Sequence, residues 1–158
     1  MSPRTSLAEA AGIRVDNGVI VSETLRTSAP DVFGAGDLAR YPEPVSGEQA
    51  RIEHWVVAER QGQAVARSML GIGGAFRAAP FFWSQHYDVT IAYVGHASSW
   101  DSCEIQGDLE KRDACAIYRR NGRTIAVATI GRDRLSLSVE AALEQGDNAA
   151  LESILRDQ

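Results

Sequence analysis

Between residues 90 and 130 the chain offers four short runs rich in β-branched and aromatic residues, at 90–94, 102–106, 114–120 and 124–130. No stretch between them is long enough for a crossover helix. Parallel neighbours need a dozen or more connecting residues, so an antiparallel meander fits these runs better than parallel units do. Asn121-Gly122 lies between the last two and predicts a tight hairpin, while Gly95-His96 and Gly107-Asp108 mark further turns. Leu135, Val139, Ala142 and Leu143 share one face of a helix over 135–143, which Gly146-Asp147 breaks before a last short helix over 149–155. The charged run 108–113 reads as a solvated turn.

The first half has a different pattern. Residues 7–12 read as a helical turn ended by Gly12. Asn17-Gly18 stands between two apolar runs, Ile13 to Val15 and Val19 to Val21, and predicts a hairpin. Two prolines and a glycine make 41–47 a loop. Residues 52–70 hold no proline and are rich in Ala, Gln, Glu, Arg and Val, so they predict one long helix. Val56, Val57, Ala64, Val65 and Met69 would form its buried stripe, and Ala58, Gly62 and Ala66 a narrow face for close packing. Glu53 falls in its first turn, where the helix dipole favours an acid, and Gly71 and Gly73-Gly74 stop it. The run from Pro80 through Phe81, Phe82 and Trp83 to Asp88 is the densest aromatic cluster and reads as a hydrophobic crossover between two domains.

The stretch with chemistry in it is Thr27 to Asp37. Val32 and Phe33 read as a very short buried strand, and Gly34, Ala35 and Gly36 leave room for a close neighbour. Asp37 then stands just beyond a strand end, where ligands bind in α/β sheets. A carboxylate there accepts hydrogen bonds from sugar-like hydroxyls, and backbone N–H groups after Gly36 suit a phosphate.

Composition narrows the function. Sixteen Lys and Arg stand against 21 Asp and Glu, a net charge of −5, which disfavours a nucleic-acid reader. No apolar run approaches a membrane span and residues 1–5 lack a signal-peptide core, so the expectation is a cytoplasmic protein with no membrane or nucleic-acid partner. The two cysteines, Cys103 and Cys115, are too far apart for a CxxC pair, lie in expected strands and read as buried free thiols; no cluster suggests a metal.

Thr27, the six residues after it, the short apolar strand and Gly36-Asp37 resemble the second FAD-binding motif of two-dinucleotide-fold flavoprotein reductases. Ser6 to Gly12 and Val15 to Val21 resemble the lead-in to that motif. Ile52-Glu53-His54-Trp55, Ala58, Gln61-Gly62 and Met69-Leu70 resemble the helix that follows it in the ferredoxin-reductase and apoptosis-inducing-factor-like (Rieske-associated) branch. The Pro80 to Asp88 run, Gly95-His96-Ala97, Trp100-Asp101 and 107–112 resemble that branch's C-terminal domain. The resemblance implies an α+β chain: a remnant of an FAD-binding domain over 1–79, then an antiparallel-sheet reductase C-terminal domain with terminal helices over 80–158.

The same resemblance implies FAD as cofactor, NAD(P)H as co-substrate and a ferredoxin or Rieske-type electron acceptor, with homo-oligomerisation left open. The FAD-contacting residues it implies are Gly36, Asp37 and Leu38 at the ribityl chain and phosphate, His54, Trp55 and Val56 at a helix start facing the ring, and Trp83 against the ring. No catalytic side chain and no metal ligand is implied, since hydride transfer to a flavin needs positioning. The glycines here give no GxGxxG, and the lead-in starts almost at the first residue. The expectation is therefore a C-terminal fragment of a flavoprotein NAD(P)H oxidoreductase, inactive alone. A standalone dimerisation or protein-binding module without redox activity is the alternative.

Overall fold

The computed structural model describes residues 2–156. The chain forms two compact units, one up to Ala78 and one from Ala79.

In the first unit, α1 (Ser6–Ala10) ends at Ala11 and Gly12, and the chain then turns through Asn17, whose φ is +47°. The turn forms, and the expected hairpin is short: one bridge, Val15 to Val19, with Ile20 N–H donating to Arg14 O at 3.1 Å. Strand β1 (Val19–Ile20) pairs in parallel with β2 (Ala39–Pro42), a partner from far along the chain. Strand β2 pairs antiparallel with β3 (Gln49–Ala50). Tyr41 and Pro42, expected in a loop, are therefore strand residues; Pro42 is tolerated because it ends the strand. The buried Glu43 closes the turn by accepting from the N–H groups of Val45 (3.0 Å) and Ser46 (2.7 Å).

Val32 and Phe33 are not a buried strand. Thr27 N–H donates to Val32 O at 2.9 Å around a turn in which Asp31 has φ +58°. Only Phe33 bridges back, to Arg26, and Val32 is 40% exposed. The strand lies after the motif, so Asp37 precedes β2 instead of ending a strand.

Helix α2 (Trp55–Met69) is the expected long helix, shorter at its start. Its buried residues are Val57, Gln61, Val65 and Ser68. Val57 and Val65 join Val19, Val21, Leu25, Ala39, Tyr41 and Phe76 in one core. The stripe is thus rotated from the expected one: Met69 is exposed, and Val56 and Ala64 are only half-buried. Ala58 faces Gly36, but a Cβ on Gly62 would meet open space, so the small-residue face is not a packed one. Glu53 precedes the helix, because His54 is its N-cap.

The second unit is a five-stranded antiparallel sheet with two helices. Its strands are β4 (Phe81–His86), β5 (Val89–Gly95), β6 (Ser102–Asp108), β7 (Asp113–Arg120) and β8 (Arg123–Ile130), in the order β4-β5-β8-β7-β6. The Pro80 to Asp88 run is therefore not a crossover. It is an edge strand that turns at Tyr87 (φ +54°) and pairs with β5 from Phe81–Val94 to His86–Val89. The sheet is antiparallel as expected but not a plain meander. Strand β5 lies beside β8, so β5 to β8 adopt a Greek-key order. Asn121 (φ +52°) and Gly122 (φ +72°) make the predicted two-residue hairpin.

Helices α3 (Asp133–Gln145) and α4 (Asn148–Arg156) pack on one face. Thr129 and Ser136 hydroxyls meet at 2.7 Å, and Glu152 accepts from Thr124 (2.7 Å) and Arg119 (3.3 Å). On the other face Phe82, Tyr93, Tyr118 and Trp100 follow one another at ring separations of 5.1, 6.1 and 5.2 Å. Cys115 is buried as expected, whereas Cys103 is exposed, because it lies on edge strand β6 facing away from the helices. The 108–113 turn is solvated as expected, tied by Asp108 to the N–H groups of Glu110 and Lys111. Among the described residues no helix is long and apolar enough to cross a membrane.

Candidate functional site

Gly36-Asp37-Leu38 is a single 3-10 turn between an extended Ala35 and β2. Gly36 has φ +77°, and its N–H donates to Gln61 Oε1 at 2.8 Å. Ala58 stands one turn before Gln61 on α2 and meets the space over Gly36, where a Cβ would sit 3.5 Å from its own. Helix α2 thus holds the turn from one side.

Arg51 holds it from the other. Its Nη1 donates to the Asp37 carbonyl oxygen at 3.0 Å and to Glu53 Oε1 at 2.5 Å. The Arg51 side chain is 10% exposed, and the guanidinium keeps the Glu53 carboxyl below the usual carboxylate range. The Asp37 carboxylate itself makes no ion pair among the described residues and is exposed. It lines a cavity of about 360 Å³ together with Pro3, Arg4, Leu38, Arg51 and Glu53. That volume is at the low end of the ~300–1,000 Å³ typical of small-molecule sites, room for part of a dinucleotide. The groups present suit a polyol with an anionic end: the Asp37 carboxylate accepts from hydroxyls, and Arg4 lines the same cavity.

His54 has a structural task. Its Nδ1 accepts from Val56 N–H at 3.3 Å, capping α2. Trp55 is 59% exposed, with its ring centroid 6.1 Å from that of His54. Gly36, Asp37 and Leu38 are thus brought together on one turn, and His54, Trp55 and Val56 at the start of α2. Trp83 belongs to the second unit, where it pairs with Ala92 on the face that carries Thr129 and α3. Among the described residues no cluster could hold a metal ion.

Burial pushes the His54 imidazole below its usual pKa, against the pull of the Asp37 carboxylate. Below about pH 6.5 the unfolded chain then takes up the proton first, so stability falls as pH drops through that window and is full above it. Melting curves between pH 7.5 and 5 should show the wild type losing more than His54→Asn, which caps without titrating. The acids with lowered pKa (Glu53, Asp88, Glu104 and Asp108) titrate below this window. Parallel curves for the two proteins would remove the imidazole from the account.

Arg51 and Gln61 are the residues that sequence reasoning missed as parts of the site. The signal for Gln61 was its spacing: it stands four residues from both Val57 and Val65, a polar side chain in a core position. Arg51 carried no comparable signal, since its acceptor at Asp37 lies 14 residues away.

Comparison with known proteins follows the same division. Residues 1–62 match the family described as pyridine nucleotide-disulphide oxidoreductase, and residues 81–158 match the family described as reductase C-terminal. The chain is 34% identical over 130 residues to putidaredoxin reductase CamA of Pseudomonas putida, covering 82% of this chain and 31% of that protein. It is 31% identical over 147 residues to apoptosis-inducing factor 3 of Mus musculus, covering 91% of this chain and 24% of that protein. Among solved structures it resembles the reductase of the covalent putidaredoxin reductase–putidaredoxin complex, with a TM-score of 0.86 at 29% identity over 99% of this chain and 40% of that one. It also resembles a ferredoxin reductase from Rhodopseudomonas palustris, with a TM-score of 0.82 at 26% identity over 93% of this chain and 36% of that one.

Proposed function

The chain belongs to the FAD-dependent ferredoxin-reductase-like family of pyridine-nucleotide oxidoreductases, and from that premise we propose that it supplies the ribityl and isoalloxazine half of an FAD site. The whole activity would be cytoplasmic transfer of electrons from NAD(P)H to a ferredoxin or Rieske-type protein. The observation that carries this reading is the Asp37 carboxylate, exposed and without an ion pair among the described residues, at the lip of a cavity it shares with Arg4 and Glu53, on a turn fixed from two sides.

In this reading residues 1–79 are part of an FAD-binding domain and residues 80–158 are the reductase C-terminal domain. Bound FAD supplies the chemistry, accepting a hydride and releasing single electrons. The chain's own residues bind and orient. Asp37 accepts hydrogen bonds from ribityl hydroxyls, and the Gly36–Leu38 backbone faces the phosphate end. The start of α2 at His54, Trp55 and Val56 supports the ring, and Trp83 is the second unit's candidate for an aromatic contact. The chain carries no GxGxxG for the pyrophosphate. Its affinity for FAD should therefore be weak, with a Kd above about 100 µM, or less than ~5.5 kcal/mol.

Titration with FAD, read by tryptophan fluorescence, tests the proposal. The expected result is weak saturable quenching, lessened about tenfold in affinity by Asp37→Ala, the cost of losing a hydrogen bond to a charged group. NADH should leave the bound flavin oxidised. No quenching at millimolar FAD, or equal affinity in Asp37→Ala, would sink it. A concentration-dependent dimer in sedimentation would then favour the standalone module, with the Phe82–Tyr93–Tyr118–Trp100 face as its surface.

A further inference from the structure

We infer that Gln61 and Arg51 are positioning residues that fix the backbone around Asp37 for its ligand without touching the carboxylate. The inference rests on Asp37 being the ligand-binding acid proposed above.

The geometry is a two-point clamp. The Gly36 N–H and the Asp37 C=O belong to the peptide groups at either end of the Gly36–Asp37 segment. Gln61 Oε1 holds the first at 2.8 Å and Arg51 Nη1 the second at 3.0 Å. The two side chains come from different places, one from inside α2 and one from the connection before it. The N–H of Gly36 requires an acceptor, which orients the Gln61 carboxamide with its oxygen toward the turn.

That orientation has a consequence. Gln61 is fully buried, and its Nε2 has no hydrogen-bond partner among the described residues. An orphaned buried N–H₂ is unfavourable for folding, and an apolar side chain of the same length would avoid it. Gly36 is only half-buried, so water could satisfy its N–H if Gln61 were absent. Stability of the fold therefore does not account for a glutamine here. Holding Gly36 at φ +77°, in the left-handed region that favours glycine, does account for it. A preorganised turn spares the ligand the cost of ordering it, which is the general role of supporting residues behind a contacting group.

The test uses the full chain. Gln61→Met removes the acceptor and the orphan together. Its melting temperature should stay within about 3 °C of wild type, the shift of less than 1 kcal/mol in a domain of this size. Amide exchange at Gly36, measured without ligand, should speed at least tenfold while exchange at Val65, deep in α2, stays unchanged. Gln61→Glu keeps an acceptor oxygen and should restore slow exchange at Gly36. In FAD titrations, Gln61→Met and Arg51→Lys should each bind five- to tenfold more weakly than wild type, and Gln61→Glu within threefold of it. Unchanged exchange at Gly36 in Gln61→Met, or a rise matched at Val65, would overturn the inference. Absence of FAD binding by the wild type would instead count against the flavin reading, with the ligand-free exchange data still deciding whether Gln61 positions the turn.

Discussion

Gly18→Ala should destabilise the first unit by roughly 2–4 kcal/mol, the sum expected of a strained backbone and a steric overlap. Gly18 has φ +132°, where side chains are disfavoured. A Cβ there would lie 2.7 Å from both the Leu38 carbonyl oxygen and the Arg51 Cδ. The first is backbone and cannot step aside without moving β2. The second is the stem of the side chain that holds Asp37 and Glu53. The substitution thus strikes stability and site through one atom. Urea denaturation followed by far-UV circular dichroism measures the first effect. The second would appear as FAD affinity lowered at least as far as in Arg51→Lys. A loss of stability under about 0.5 kcal/mol, the ordinary range for an innocuous surface change, would show that the turn is looser than its geometry implies.

The same glycine shows what could and could not be read from the chain. Asn17-Gly18 and Asn121-Gly122 carry the same turn signal, and both make a turn. One yields a full hairpin between β7 and β8. The other yields one bridge, and β1 takes its longer pairing from β2, a partner set by distant sequence. Val32 and Phe33 have strong strand propensity, yet their pairing goes no further than the Arg26–Phe33 bridge beside a tight turn. The aromatic run 81–86 lacks a clean alternation, so its place as edge strand β4 was hidden. Helix α2 was legible as a helix but not in its rotation, since polar Gln61 and Ser68 take inward positions that periodicity gives to apolar residues. Asp37 could be singled out as a candidate because its motif is local, though its place before β2 and not after a strand could not. Its supports were not legible, because Gln61 and Arg51 act through contacts 25 and 14 residues away.

Ile117→Ala should cost the second unit about 3–4 kcal/mol, within the usual range for emptying a buried isoleucine site, and Ile117→Val only about 1 kcal/mol. Ile117 is 0% exposed in the middle of β7, paired with Val127, which is equally buried. Both lie on the face whose neighbours Thr129 and Arg119 reach α3 and α4, so the cavity would open between sheet and helices. Ile105 on β6 provides the contrast. It is 57% exposed on the aromatic face, beside Ala116, and no helix of the unit covers it. Ile105→Ala should therefore cost under about 0.5 kcal/mol, as surface changes do. Urea denaturation of both variants at low protein concentration separates the two faces. Equal losses would mean that the aromatic face is also shielded from water in solution, and a loss at Ile105 that grows with protein concentration would identify the shield as a second copy of the chain.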